Sequence, residues 1–131
     1  MTEEDSAKAA VEGFIAAFNA QDHEALADTL NYPHVRLANG RIVTVETHED
    51  FVEMSKRGKS HLAAEGWDHT ILLGMTVVHS GSDKVHLALN IDRCHAYGSI
   101  YNQFETFWIA TLQDGHWGIQ FRSSYLVTPR R

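Results

Sequence analysis

Two runs of alternating residues, Tyr101–Gln113 and His116–Leu126, meet across the dipeptide Asp114-Gly115. Asp-Gly between such runs predicts a β-hairpin with a two-residue turn, because both turn residues tolerate positive φ. That loop length sets a register: Gln113 opposite His116, Ile109 opposite Gln120, Phe107 opposite Arg122 and Glu105 opposite Ser124. Side chains alternate along a strand, so the hairpin has two faces. One carries Phe104, Trp108, Ala110, Leu112, Trp117, Ile119, Phe121 and Tyr125. The other carries Gln103, Glu105, Phe107, Ile109, Gln120, Arg122 and Ser124. The oily face reads as a contact surface, and the mixed face as the wall of a binding pocket.

The preceding strands repeat this division. In residues 84–96, Val85, Leu87, Leu89 and Ile91 point one way, and His86, Ala88, Asn90 and Asp92 the other. Tyr97-Gly98 marks the next turn, where a bulge would shift the register by one. Residues 67–79 are apolar on both faces, with Ile71, Leu73, Met75 and Val77 against Leu72 and Val78, which predicts a central strand.

Helices come first. Val11, Phe14, Ile15 and Phe18 form one apolar stripe, and Thr2 with Asp5 can cap its start. Asp22 can cap a short second helix running to Leu30, which Asn31-Tyr32-Pro33 stops. Asn39-Gly40 then joins two short strands, with His34, Arg36 and Ala38 on one face and Val35 and Leu37 on the other. Thr47 and Asp50 mark the cap of a third helix that Gly66 ends.

Composition narrows the class. At 131 residues and 44% apolar content, residues 1–131 read as a single compact domain. The net charge of −6, with no basic block before Arg130-Arg131, weighs against nucleic acid and anionic membranes as partners. A lone cysteine, Cys94, excludes an internal disulfide and reads as a buried thiol. The acidic amino terminus lacks the apolar core of a signal peptide, so the chain is expected to be soluble and cytoplasmic. Neither a metal-ligand spacing among the nine histidines nor a phosphate-loop or nucleophile-elbow motif is present, and no cofactor is expected.

The stretch Gly13-Phe14-Ile15-Ala16-Ala17-Phe18-Asn19-Ala20-Gln21-Asp22 resembles the first helix, and its break, of the nuclear transport factor 2-like superfamily. Asp114-Gly115-His116-Trp117-Gly118-Ile119 is similar to its closing hairpin, and the likeness runs over residues 7–126. The resemblance implies a cone-shaped α+β fold, shared with ketosteroid isomerases and SnoaL-like cyclases. In that fold N-terminal helices pack on a curved antiparallel sheet and enclose a pocket. It also implies a homodimer through the convex sheet face, here assigned to Trp108, Trp117, Phe121 and Tyr125. Trp108→Glu or Trp117→Glu would then release monomers. Isomerase chemistry does not carry over, because the family's carboxylate base and first-helix tyrosine are matched by Ala38 or Asn39 and by Phe14.

With the mixed face as pocket wall, the catalytic candidates are His34 as general base, with Asp92 or Glu105 orienting it. The ligand-binding candidates are Arg36, His86, Asn90, Gln103, Gln120, Arg122 and Ser124. Arg122 carries the most information, since an inward guanidinium needs a counter-charge. That charge is either Glu105 or Asp92, or an anion held with Arg36. Three functions follow: a pocket protein for a small, partly apolar acid or carbonyl compound; a cofactor-independent isomerase, lyase or cyclase; or a dimerising domain without ligand.

Overall fold

The structure, a computed structural model, describes residues 1–126. Helix α1 (Glu3–Ala20) begins at Thr2, whose hydroxyl accepts the Asp5 amide at 3.1 Å while the Asp5 carboxylate accepts the Thr2 amide at 3.2 Å. Such a cap is worth about 0.5–2 kcal/mol, because it satisfies N–H groups that the first turn leaves open. Ala7, Val11, Phe14 and Ala17 form the buried stripe. Asp22 caps α2 (His23–Asp28), and Thr47 caps α3 (His48–Glu65), which ends at Gly66 in the left-handed conformation. Leu30, read from sequence as the end of α2, already belongs to the first strand.

Two strands, β1 (Leu30–Ala38) and β2 (Arg41–Val45), lie between α2 and α3, and β3 (His69–Ser80), β4 (Lys84–Cys94), β5 (Ile100–Gln113) and β6 (His116–Ser124) come after α3. They form one sheet in the order β2-β1-β6-β5-β4-β3. Only β1 and β6 run parallel; every other pair is antiparallel. Asn39-Gly40 and Asp114-Gly115 turn with positive φ at both residues, as their chemistry demands. β3 lies at the sheet edge and not at its centre. Bulges at Leu73 and Val78 break its alternation, and these two residues with Ile71 are exposed. Among the described residues no helix is long and apolar enough to cross a membrane.

The helices cover the oily face. Val85, Leu87, Leu89 and Ile91 of β4, Phe104, Trp108 and Ala110 of β5, and Ile119 of β6 are buried, and α1 packs on these strands. Each fully buried aliphatic side chain contributes about 1.5–3 kcal/mol. The sequence assignment of faces is therefore inverted for β4 and β5: the oily face is the interior and the mixed face is the outside. Alternation separates two faces but does not say which one the helices will need.

Strand β6 breaks the inversion. Ile109 pairs with Phe121 and Ala110 with Ile119, so Gln120 is a bulge with no partner across the hairpin. Past it the parity switches: Arg122 pairs with Trp108 and Ser124 with Thr106, on the inner side. Phe121 moves to the outer side opposite Ile109. Next to the bulge, Gly118 lies against β1, where an added Cβ would come within 2.7 Å of the Leu30 carbonyl carbon and 2.9 Å of the Asn31 nitrogen. Backbone cannot yield as a side chain does, so Gly118→Ala is expected to cost about 1–3 kcal/mol through a forced shift of β1 against β6. Urea denaturation measures it, and a wild-type midpoint would contradict the close approach.

Candidate functional site

Between the helices and the inner sheet face lies a cavity of about 430 Å³. Phe14 and Phe18 of α1 and Phe51, Met54 and Leu62 of α3 supply its apolar walls, and Arg36, Arg93 and Arg122 its polar floor. The same three arginines, with Phe14 and Phe18, also border an adjoining chamber of about 40 Å³. Arg36 and Arg122 are register partners on parallel strands β1 and β6, and Arg93 ends the oily run of β4.

Three guanidiniums thus share one cavity with a single lining carboxylate among the described residues, Glu65. Glu65 lies 3.4 Å from Arg93 and accepts the Tyr101 hydroxyl at 2.6 Å. Burial first, then the Glu65 hydrogen bond and charge, push the Tyr101 pKa upward, so that phenol stays a donor. Arg122 sits 4.9 Å above the Phe14 ring and 5.8 Å from the Trp108 ring. Its Nε donates to His34 Nε2 at 3.1 Å, and no carboxylate among the described residues meets it. Burial, then Arg36 and Arg93, press its pKa well below the usual arginine range. Arg36 is pressed down too, by burial and then by Arg93, and its buried Nε has no hydrogen-bond partner among the described residues.

His34 is fully buried, edge-on to Phe51. A carbonyl can only accept and a guanidinium can only donate. Nδ1 therefore carries the proton, given to the Ile119 carbonyl at 2.9 Å, while Nε2 receives Arg122. Burial foremost, then the Arg122 charge, hold its pKa down at about 3 against the weaker pull of the Ile119 carbonyl. This imidazole is neutral and both nitrogens are engaged. It does not line the cavity, and the expected general base is instead a support for Arg122.

The other sequence candidates divide cleanly. Arg36, Arg122 and Ser124 reach the inner chamber. Asp92, Glu105, His86, Asn90 and Gln103 stand on the outer face, opposite His34, so the catalytic set His34, Asp92 and Glu105 cannot assemble through the sheet. Neither carboxylate can neutralise Arg122. Asp92 is buried on that side and accepts the Gln103 amide at 2.7 Å. His86 Nδ1 lies 3.1 Å from His79 Nδ1, on the outer side of the sheet from His34. Gln120, at the bulge, donates to the Pro33 carbonyl and accepts from Thr111. Asn90, Gln103 and Glu105 line a larger outer groove of about 560 Å³, but among the described residues no cation lines it. Trp108 is 2% exposed beneath α1, Trp117 packs half-buried at the core's edge, and of the four expected interface residues only Phe121 and Tyr125 belong to the outer surface.

Arg93 escaped the sequence reading although it shares the parity of Leu87, Leu89 and Ile91, which was signal enough to place it on their face. Glu65 and the α3 wall carried no such mark. No group of three or more His, Cys, Asp or Glu side chains able to hold a metal occurs among the described residues.

Helices laid over one face of a curved, mostly antiparallel six-stranded sheet, with a cavity between the layers, define the cone-shaped class of α+β domains. A family model described as NTF2-like protein (DUF6841) matches residues 3–123, and the chain belongs to this family. Solved structures of the same fold include an NTF2-like protein with a cystatin-like fold from Novosphingobium aromaticivorans, 15% identical, with a TM-score of 0.74 over 95% of this chain and 82% of that one. A ketosteroid isomerase-like protein from Erwinia carotovora atroseptica is 17% identical, with a TM-score of 0.71 over 98% and 100%. A protein of unknown function with a cystatin-like fold from Nostoc punctiforme is 8% identical, with a TM-score of 0.75 over 95% and 90%. At these identities the likeness is one of fold. No curated protein matches the sequence.

Proposed function

We propose that this protein binds a small, partly apolar organic acid, with the acid group on Arg36 and Arg122 and the hydrocarbon among Phe14, Phe18, Phe51 and Met54. A single observation carries the reading: Arg122 is a half-buried guanidinium on the cavity wall whose neighbours among the described residues are two aromatic rings, a neutral imidazole and two more cations. Cation–π contacts return about 0.5–2 kcal/mol, less than removing a charge from water costs. An anionic ligand would supply the counter-charge that the described residues do not, and a volume of about 430 Å³ suits one. Turnover with His34 as base has no support, because its lone pair is already taken. We extend the proposal to a homodimer through the outer sheet face, where Ile71, Leu73 and Tyr125 are 41%, 52% and 77% exposed.

Thermal-shift and calorimetric titration with benzoate, phenylacetate and hexanoate, against their methyl esters, tests the pocket. The acids are expected to stabilise the protein and the esters much less. Arg122→Met should weaken acid binding at least about 30-fold, roughly 2 kcal/mol. The unliganded variant should stay within about 1 kcal/mol of wild type, since relief of buried repulsion offsets one lost hydrogen bond. Acids that bind Arg122→Met unchanged, or that never bind, would remove the proposal.

A further inference from the structure

We infer that the ligand carries two negative charges, as an apolar-bodied dianion whose charged end seats between Arg36 and Arg122; this rests on the acid-binding reading above. Among the described residues the three arginines face one lining carboxylate, and that carboxylate is committed elsewhere. Glu65 is held on the β4 side by Arg93 at 3.4 Å and by the Tyr101 hydroxyl at 2.6 Å. Two guanidiniums remain, on register-paired residues of adjacent strands, which places their backbones only about 4.8 Å apart. A monoanion would neutralise one and leave the other beside it, half-buried and without a counter-charge among the described residues. A dianion neutralises both.

The donor geometry agrees. Arg122 spends its Nε on His34, so only its terminal amino groups are free to face a ligand. Arg36 has its Nε buried out of reach of solvent and unpartnered among the described residues, so it too can meet a ligand only through its terminal amino groups. Both arginines thus offer their terminal amino groups, from adjacent strands. Two such pairs of donors suit three phosphate oxygens, or two neighbouring carboxylates, better than the two oxygens of one carboxylate. The chamber of about 40 Å³ between the arginines has room for a compact charged group, and the adjoining cavity of about 430 Å³ for the apolar body. Phosphate monoester and vicinal dicarboxylate share this chemistry.

Calorimetry near pH 7.5 with benzoate, phthalate and phenyl phosphate separates the cases, since a phosphate monoester with a second pKa of about 6 is then mostly dianionic. At least one dianion is expected to bind ten-fold or more tighter than benzoate. Preference for phenyl phosphate identifies a tetrahedral head, and preference for phthalate a pair of carboxylates. Arg36→Met should bring the favoured dianion to within about two-fold of benzoate. Benzoate binding as tightly as both dianions, and losing that binding in Arg122→Met, would overturn the dianion while leaving the acid pocket standing. Failure of every acid to bind would overturn both.

Discussion

Replacing Trp108 with alanine is expected to cost about 3–5 kcal/mol of folding stability. Its ring is 2% exposed and meets Phe14 edge-on, with centroids 4.7 Å apart at 70°. It packs opposite Leu87 on one side and Arg122 on the other. The indole N–H donates to the Thr106 hydroxyl at 2.8 Å, and that hydroxyl donates to the Ser123 carbonyl at 3.0 Å, tying β5 to β6. Truncation opens a large hole that α1 cannot close without leaving the rest of the sheet. Trp108→Glu should be worse, placing a carboxylate in the core, and it is expected to prevent folding instead of releasing folded monomers. Urea denaturation followed by sedimentation checks both variants. Leu73→Glu, on the outer face, should leave stability within about 0.5 kcal/mol and, in the proposed dimer, yield monomers. A Trp108→Ala protein with a wild-type midpoint would mean that the helices cover the other face.

Acid should weaken the protein through His34. Its folded pKa of about 3 lies below the ordinary 6.5, so between these values the unfolded chain takes up a proton that the folded protein refuses. The contribution is therefore complete above about pH 6.5, falls as pH drops, and is exhausted near pH 3. Its full span is on the order of 4–5 kcal/mol. Glutamine at this position can donate to the Ile119 carbonyl and accept from Arg122 without titrating. His34→Gln is thus expected to match wild type within about 1 kcal/mol at pH 7.5 and to lose much less stability towards pH 4. His86, whose pKa burial, Lys84 and His79 also lower, adds a slope of the same sign to both proteins and cancels in the comparison. Parallel pH–stability curves for wild type and His34→Gln would show that His34 is not held neutral. The same variant reports on function, because a glutamine that still orients Arg122 should keep acid binding near wild type, whereas His34→Leu should weaken it.

The local elements were legible because their causes are local. Thr2 with Asp5, and Thr47 with Asp50, cap helices through contacts three residues apart. Asn39-Gly40 and Asp114-Gly115 reverse the chain because their residues tolerate positive φ. The alternation of Val85, Leu87, Leu89 and Ile91 divides a strand into two faces, whatever lies above them. Together with the first-helix and last-hairpin motifs, these features sufficed for the fold class.

The candidate site was legible only in part, and for the opposite reason. Arg36 and Arg122 were singled out because a guanidinium on a patterned strand demands a counter-charge, yet their surroundings were misjudged. Which face of β4 and β5 is interior depends on where α1 lands, a choice made by burying Phe14 against Trp108. The bulge at Gln120, set by the packing of β6 on β1, then carries Arg122 to the same side. So the sequence alone determined the elements, the turns and the separation of oily from mixed faces, since these follow from interactions between residues close in the chain. The tertiary structure alone decided that Arg36, Arg93 and Arg122 share one interior with Glu65, since strands β1, β4 and β6 and helix α3 are brought together only by the burial of a common core.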